Sequence, residues 1–201
     1  MHPAVQHLRH ADPVLCALID RAGPFAIDYH PPVFATLARS IVSQQLSGRA
    51  AATIWARLAA AARPRRVTPA LIASLTTEQL RACGLSAAKC ASLHDLARRT
   101  ATGEVRFRAI PAMSDDEVIA HLTPVRGVGV WTAHMFLIFA LRRPDVLPIG
   151  DLGIRNAIRR AWSLPAPPDP GEMETLAAPW RPWRSVASWY LWRSLDNQAA
   201  L

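Results

Sequence analysis

The sequence predicts an all-α fold, and three observations support this class. Apolar residues recur at helical spacing along most of the 201-residue chain, whereas no segment shows the alternating pattern of a convincing strand. Helix starts are marked repeatedly by Ser, Thr or Asp followed by Pro or by acidic residues. No apolar run approaches the roughly 18 residues of a membrane span. The length suits one domain, or two small lobes that share a cleft.

The expected helices follow one another as short segments separated by turns. The first covers residues 12–22, with Asp12 as its N-cap and Pro13 at its first position. The residues before it, which include three histidines, are typical of a ragged terminus. Later helices are expected at residues 32–45, 49–62, 87–100, 131–141, 153–162 and 172–178, at starts marked by Thr68, Thr76 and Ser114, and over a Trp-rich C-terminal segment. Three of its tryptophans, Trp180, Trp183 and Trp189, are expected in the core or between the lobes.

Composition restricts the setting and the partner. The formal net charge of +8 favours a polyanionic partner, although a GC-rich genome also enriches Arg, Ala and Pro together. The three cysteines are scattered and odd in number, so neither a disulfide framework nor a four-cysteine cluster is expected. The N-terminus lacks the pattern of a signal peptide. We therefore expect a protein of the reducing cytoplasm, associated with the nucleoid.

A glycine hairpin and a downstream carboxylate carry the functional signal. Gly127 and Gly129 lie one residue apart directly before an apolar helix, so the backbone can turn tightly there. The amides of Val128 and Val130 would then face a phosphate at the positive end of the helix dipole. About twenty residues later Asp151 stands in a turn flanked by Pro and Gly, before another helical pattern. By itself this pattern indicates only that a phosphate backbone can be gripped, and Asp151 can equally be a helix cap.

Five blocks in order resemble the helix-hairpin-helix (HhH-GPD) DNA glycosylase superfamily, and specifically its 3-methyladenine DNA glycosylase II family. The blocks are SIVSQQLS at 40–47, GLSAAK at 84–89, VRGVGVWTA at 125–133, LPIGDLGIR at 147–155 and WRPWRSVASWYLW at 180–192. The resemblance implies a single domain over residues 1–201 with two helical lobes flanking a cleft. One lobe would span about 31–140, and the other about 1–30 plus 141–201. The additional N-terminal mixed-sheet domain of some members is not expected.

The resemblance also implies roles for individual residues. Asp151 would be catalytic, and Gln45 with Leu46 beside it would fill the gap left by a flipped base, although an exposed polar helix-end residue is an alternative for Gln45. The base pocket would be formed by Trp131, Trp192 and Met135. The DNA backbone would be bound by Arg126, Gly127, Val128, Gly129, Val130 and Thr132, with Arg155 and the arginine cluster at 63–66 as further phosphate contacts. No cofactor or catalytic metal is expected, but Na⁺ or K⁺ can bind hairpin carbonyls near Val125 and Gly127.

The resemblance and the residue types together predict a monofunctional enzyme. A carboxylate stabilises the positive charge that develops on the deoxyribose, and one carboxylate suffices when the base leaves as a cation. Asp145, the other nearby acid, is expected in a solvated loop. Trp131 stands where lyase-active relatives carry a lysine, and Lys89 is the only lysine in the chain. We expect excision of 3-methyladenine, 7-methylguanine and related bases from double-stranded DNA by a monomer that does not bind membranes. A glycosylase for deaminated or oxidised bases and a non-catalytic DNA-binding module remain as alternatives.

Overall fold

The computed structural model describes residues 2–61 and 66–196, and within these ranges all regular structure is helical. Most of the arginine cluster at 63–66 therefore lies outside the described residues. In chain order the helices are α1 (Pro3–Ala11), α2 (Pro13–Ala22), α3 (Phe34–Ser43), α4 (Gly48–Ala60), α5 (Pro69–Ser74), α6 (Thr77–Ala82), α7 (Ala87–Ala101), α8 (Asp115–Leu122), α9 (Val130–Phe139), α10 (Leu152–Ala161), α11 (Pro170–Ala177) and α12 (Arg184–Asp196). Two short 3₁₀ turns occur at Ile110–Ala112 and Ala178–Trp180. None of the described helices is long and apolar enough to cross a membrane.

The chain divides into two compact units. The first unit is His30–Leu141, which contains α3 to α9. The second unit combines the residues up to Tyr29 with those from Arg142 onward, and it contains α1, α2 and α10 to α12. The division falls close to the predicted lobe limits of about 31 and 140.

Capping side chains fix the starts of the short helices in the first unit. Thr68, Thr76 and Ser114 each accept a hydrogen bond from the backbone N–H three residues later, which confirms the three predicted starts. At Thr76 and Ser114 the residue three positions on returns a bond to the cap backbone, completing a capping box. Helix α3 buries the predicted apolar face along its length. These caps allow six- to eight-residue helices to begin at defined positions.

Asp12 organises the core of the second unit. One carboxylate oxygen caps α2 by accepting from the N–H groups of Val14 and Leu15, at 2.9 and 3.1 Å. The other accepts from Nε1 of Trp180 at 3.1 Å, and this indole is fully buried. Trp183 and Trp189 pack against the same core while remaining partly exposed. The predicted structural role of these tryptophans is confirmed within this unit.

The structure differs most from the prediction in the first and last helices. The N-terminal residues are not ragged: α1 buries Ala4, Val5 and Leu8, and Nδ1 of His2 accepts a hydrogen bond from the N–H of Ala4 at 3.2 Å. Its short apolar stripe is obscured in the sequence by histidines on the other faces. The C-terminal helix begins only at Arg184, since prolines in the preceding segment lack the N–H that a helix interior requires.

Candidate functional site

Gly127 closes the hairpin between α8 and α9, at a position where any residue with a side chain would be strained. Its φ is +76°, in the left-handed region that residues with a side chain rarely adopt. An added Cβ would lie 2.6 Å from Oγ of Ser92 on α7. Both backbone conformation and packing therefore favour glycine here.

Gly129 is subject to no such internal constraint. It is the N-cap of α9, its backbone is extended at φ −95° and ψ 178°, and no side chain caps the first turn. An added Cβ would meet no atom within 4 Å. The neighbouring Val130 side chain is 51% exposed. A glycine that the protein itself does not need leaves room for another molecule to approach the backbone closely.

Asp95 on α7 anchors the hairpin through a backbone hydrogen bond. Its Oδ2 accepts from the backbone N–H of Arg126 at 2.9 Å, and its two oxygens pair with Arg98 and Arg99 at 3.0 Å. Both arginines also pair with Glu104. Burial alone would raise the pKa of Asp95, but these hydrogen bonds and charges together lower it. The carboxylate therefore stays ionised and anchors the hairpin.

Two of the groups expected to contact the DNA backbone already have hydrogen-bond partners within the protein. The N–H of Val128 donates to the carbonyl of Val125 at 3.0 Å, so the turn itself uses this amide. The Thr132 side chain is only 3% exposed, and its hydroxyl accepts from Nε2 of Gln44 at 3.3 Å. The roles of Val128 and Thr132 in phosphate binding stay predictions, and the first-turn backbone N–H of Thr132 is the donor left to test there. The exposed part of the hairpin consists of Arg126, Gly127, Gly129 and Val130.

The carbonyls suggested as cation ligands are already engaged. That of Val125 accepts from the N–H of Val128, and that of Gly127 accepts from Nε2 of Gln44 at 2.9 Å. Each carbonyl keeps a second lone pair, so Na⁺ or K⁺ binding there stays a prediction. Among the described residues no group of His, Cys, Asp or Glu side chains has the arrangement of a metal site.

A groove of about 930 Å³ in the first unit brings together several predicted residues. Trp131 and Met135 line it from α9, and Gln45 and Leu46 line it from the turn after α3. Trp131 is 43% exposed and directly follows the exposed Val130. Trp55, which lines the same groove from α4, was not predicted as a site residue. Nothing in the local sequence of that alanine-rich helix distinguishes a groove residue from a core residue.

Three hydroxyl groups on α3 that line this groove donate to backbone carbonyls of α3 or of the segment just before it. Thr36 donates to the carbonyl of Pro31 at 2.6 Å, Ser40 to Thr36 at 3.2 Å and Ser43 to Arg39 at 2.9 Å. A hydroxyl whose single proton is used in this way still offers lone pairs. This wall of the groove therefore accepts hydrogen bonds. Arg39, an exposed side chain on the same helix, and His30 add donors to the groove lining.

The turn at Gln45 and Leu46 projects from the end of α3. Gln45 has φ +56°, an uncommon conformation for a residue with a side chain, and both side chains are exposed. Non-glycine residues in this region persist only where the surroundings hold them. Gln45 and Leu46, which are predicted to fill the gap left by a flipped base and are called the plug residues below, thus lie exposed on a constrained turn.

In the second unit, Asp151 is the N-cap of α10 and is only 8% exposed. Its Oδ1 accepts from the N–H of Ile154 at 2.8 Å and from Nε1 of Trp192 at 3.1 Å. Capping and chemistry are compatible because the cap orients the carboxylate without protonating it. Trp192, predicted as a pocket aromatic, lies against this carboxylate and donates to it, a role that was not predicted.

Gly153 leaves space for this arrangement. A Cβ at Gly153 would lie 3.0 Å from Oδ1 of Asp151 and 3.6 Å from Cδ1 of Trp192. In contrast, a Cβ at Gly150, on the other side of Asp151, would meet nothing within 4 Å. Leu152, between them, is 65% exposed. The carboxylate is therefore surrounded closely on the helix side by backbone and indole.

Asp145 does not lie in a solvated loop as expected. Arg184, which is itself 7% exposed, binds its carboxylate through Nε at 2.7 Å, and Arg181 binds it at 2.8 Å. Arg184 also reaches Glu174 at 2.9 Å. The expectation was wrong because partners 36 and 39 residues away are invisible in the local sequence. Asp145 is used to hold α12 against the preceding loop and is not available to act as a second acid.

Comparison with known proteins identifies the family. The family model described as "HhH-GPD superfamily base excision DNA repair protein" matches residues 38–182, which contain the hairpin, most of the groove and Asp151. The chain belongs to the HhH-GPD superfamily. Within it, DNA-3-methyladenine glycosylase 1 of Schizosaccharomyces pombe is 38% identical over 160 residues, covering 79% of this chain and 70% of the relative. The alkylbase DNA glycosidase-like protein mag2 of the same organism is 30% identical and covers 94% and 92%.

Solved HhH-GPD structures agree with the fold. The S. pombe 3-methyladenine DNA glycosylase Mag1, in complex with abasic DNA, matches with a TM-score of 0.86 at 34% identity over 96% of both chains. A DNA-3-methyladenine glycosidase of Bacillus halodurans matches with a TM-score of 0.85 at 30% identity, covering 98% of this chain and 91% of that chain. The predicted helix-hairpin-helix glycosylase fold and the predicted 3-methyladenine glycosylase family are confirmed.

Proposed function

We propose that the protein is a monofunctional DNA glycosylase that excises alkylated bases, chiefly 3-methyladenine and 7-methylguanine, from double-stranded DNA in base excision repair. The observation that carries this proposal is the buried carboxylate of Asp151, oriented by the N–H groups of Ile154 and Trp192 within a chain of the HhH-GPD superfamily. A module that only binds DNA has no need of such a group.

DNA binding is assigned to the hairpin of the first unit. Arg126 supplies a positive side chain, and the exposed backbone around Gly129 at the start of α9 offers amide donors and the positive end of a helix dipole. Contacts of this kind hold phosphates without reading base sequence. The related Mag1 was crystallised in complex with abasic DNA, which supports DNA as the ligand.

Asp151 acts on the sugar. In the reaction the bond between C1′ and the base nitrogen breaks, and its electron pair leaves with the base. Positive charge develops on the deoxyribose, and the carboxylate stabilises that charge. It also orients a water whose oxygen adds to C1′, leaving an abasic site once the proton is lost. No acid is needed at the base when the leaving group already carries a positive charge.

The groove of the first unit suits a cationic base. Trp131 and Trp55 line it with indole side chains, and a desolvated cation gains roughly 1–2 kcal/mol over the face of such a ring. The hydroxyls of Ser40 and Ser43 accept hydrogen bonds, which favours bases with exocyclic amino groups. Both 3-methyladenine and 7-methylguanine carry an amino group, whereas hypoxanthine does not. These features favour alkylated purines over the deaminated-base alternative.

The absence of lyase activity is also part of the proposal. Lyase chemistry in related enzymes needs a free lysine amine that attacks C1′. Indole occupies the position after the hairpin at Trp131, and the ammonium of Lys89 donates to the carbonyls of Val42 and Gln44, each at 2.7 Å. Both facts support a simple hydrolase.

A duplex carrying one 7-methylguanine is expected to release the free base, with strand cleavage appearing only after alkali. Base release is measured by chromatography, and strand scission is measured on a denaturing gel with and without alkali. An undamaged duplex is the control, and a hypoxanthine duplex is expected to react more slowly. Cleavage without alkali, or an adduct trapped by borohydride, would overturn the monofunctional assignment. Binding without release from any lesion would support the module instead.

Gly153→Ala is expected to lower the excision rate by roughly 10-fold, because a shift of a few tenths of an ångström at Asp151 misaligns its carboxylate. Gly150→Ala is the matched control, since its new methyl group meets no atom within 4 Å. Single-turnover rates and thermal melting are measured for both variants. Equal rates for the two variants would mean that the helix tolerates the methyl group without moving Asp151.

A further inference from the structure

The only lysine of the chain lies beneath the turn that carries the plug residues. Lys89, in the first turn of α7, reaches across to the end of α3, where its Nζ donates to the carbonyls of Val42 and Gln44 at 2.7 Å each. These carbonyls lie at and just beyond the C-terminal end of the helix. A cation at this end satisfies carbonyls that have no partner within the helix, and it complements the helix dipole.

The same turn is tied to the hairpin through the side chain of Gln44. Its Nε2 donates to the carbonyl of Gly127 at 2.9 Å and to Oγ1 of Thr132 at 3.3 Å. Lys89 therefore fixes the backbone of Gln44, while the side chain of Gln44 fixes the hairpin. Together they form a continuous link, all within the first unit, from α7 through the turn to the hairpin.

We propose that Lys89 is a positioning residue for base flipping, and that its ammonium holds the turn at Gln44 so that Gln45 and Leu46 enter the gap left by the extruded base. This inference rests on the proposed function. Gln45 adopts φ +56° immediately after the clamped carbonyl of Gln44, so release of the clamp lets the residue relax toward ordinary backbone conformations. The plug would then no longer be preorganised.

The charge of Lys89 fits this role better than a packing role. Burial lowers the pKa of Lys89, because the charged form is partly removed from water. A methionine would fill nearly the same volume without that cost. The ammonium carries three N–H donors and no acceptor, which suits a site formed by two carbonyl oxygens.

The test compares Lys89→Met with wild type on two duplexes. In one, 7-methylguanine pairs with cytosine; in the other, the same lesion sits in a single-nucleotide bulge and needs little help to leave the stack. On the paired duplex we expect the single-turnover rate to fall by on the order of 10- to 100-fold, because flipping becomes limiting. On the bulged duplex the loss should shrink to within about threefold. A 2-aminopurine next to the lesion should show a smaller fluorescence rise with the variant.

Matched variants separate positioning from charge and folding. Arg81→Met removes the same charge from an exposed side chain near the end of α6 and should leave both rates near wild type. Lys89→Arg keeps a donor and should recover part of the loss.

Since Lys89 acts through the plug residues, the effects of Lys89→Met and Gln45→Ala should not multiply in the double variant. Thermal melting checks folding, and if Lys89→Met unfolds, Lys89→Arg and Gln44→Ala are compared on the same two duplexes.

The outcomes separate this inference from the function on which it rests. If wild type releases base from neither duplex, the proposed function fails. If wild type is active but Lys89→Met loses the same factor on both duplexes, or loses nothing, the positioning role is wrong. Multiplicative effects with Gln45→Ala would also reject it.

Discussion

Asp151→Asn is expected to reduce the single-turnover excision rate by at least about 100-fold, the scale typical of removing one group that stabilises transition-state charge. The amide has nearly the same shape as the carboxylate and can still accept from the N–H of Ile154, so α10 keeps its cap. In the proposed mechanism, what is lost is the negative charge that stabilises the developing cation on the sugar. Base release from a 7-methylguanine duplex is the measurement.

Thermal melting and DNA affinity are the control measurements for this variant. Asp151→Asn should melt within a few degrees of wild type and should bind an abasic duplex with similar affinity, because the hairpin assigned to phosphate binding belongs to the other unit. Trp192→Phe keeps an aromatic ring but removes the donor to Oδ1, so an intermediate loss, on the order of 10-fold, is expected. Undiminished excision by folded Asp151→Asn would remove the carboxylate from the mechanism.

Residues with a local sequence signature could be found from the sequence. The turn before Asp151, Gly127 of the hairpin and the caps at Thr76 and Ser114 each depend on neighbours within a few positions, and backbone conformation or helix chemistry favours their residue type. Capping bonds confirm the helix starts at Thr76 and Ser114.

Interactions between distant residues could not be found in this way. Trp192 donates to a carboxylate 41 residues earlier, and Lys89 donates to carbonyls 45 and 47 residues earlier. Asp145 resembles an ordinary loop acid until the fold brings Arg184 to it. A charged or aromatic side chain has many compatible partners, so its partner is decided by tertiary packing rather than by spacing.

Substitution by alanine is expected to affect mainly protein stability at Gly127 and mainly DNA affinity at Gly129. Gly127→Ala forces a side chain into a left-handed conformation and against Oγ of Ser92, so we expect a loss of roughly 2–4 kcal/mol in the free energy of unfolding. Gly129→Ala meets no atom of the protein and should cost at most about 1 kcal/mol, the usual penalty for alanine at an N-cap. Its DNA affinity should nevertheless fall about tenfold if a phosphate approaches that backbone. Denaturant unfolding and fluorescence anisotropy with an abasic duplex measure the two effects.

Comparison of the Gly127 and Gly129 variants also tests which of the two glycines is needed for folding and which for DNA binding. Adding Ser92→Ala to Gly127→Ala removes the 2.6 Å contact and leaves Cβ of residue 92 at 3.3 Å, so part of the stability should return, while the backbone strain at φ +76° remains. If Gly129→Ala binds DNA as wild type does, the start of α9 is not where the phosphate sits, and Arg126 becomes the main contact of the hairpin. If Gly129→Ala is destabilised as much as Gly127→Ala, Gly129 is needed for folding, and the free space around it is not evidence of a phosphate site.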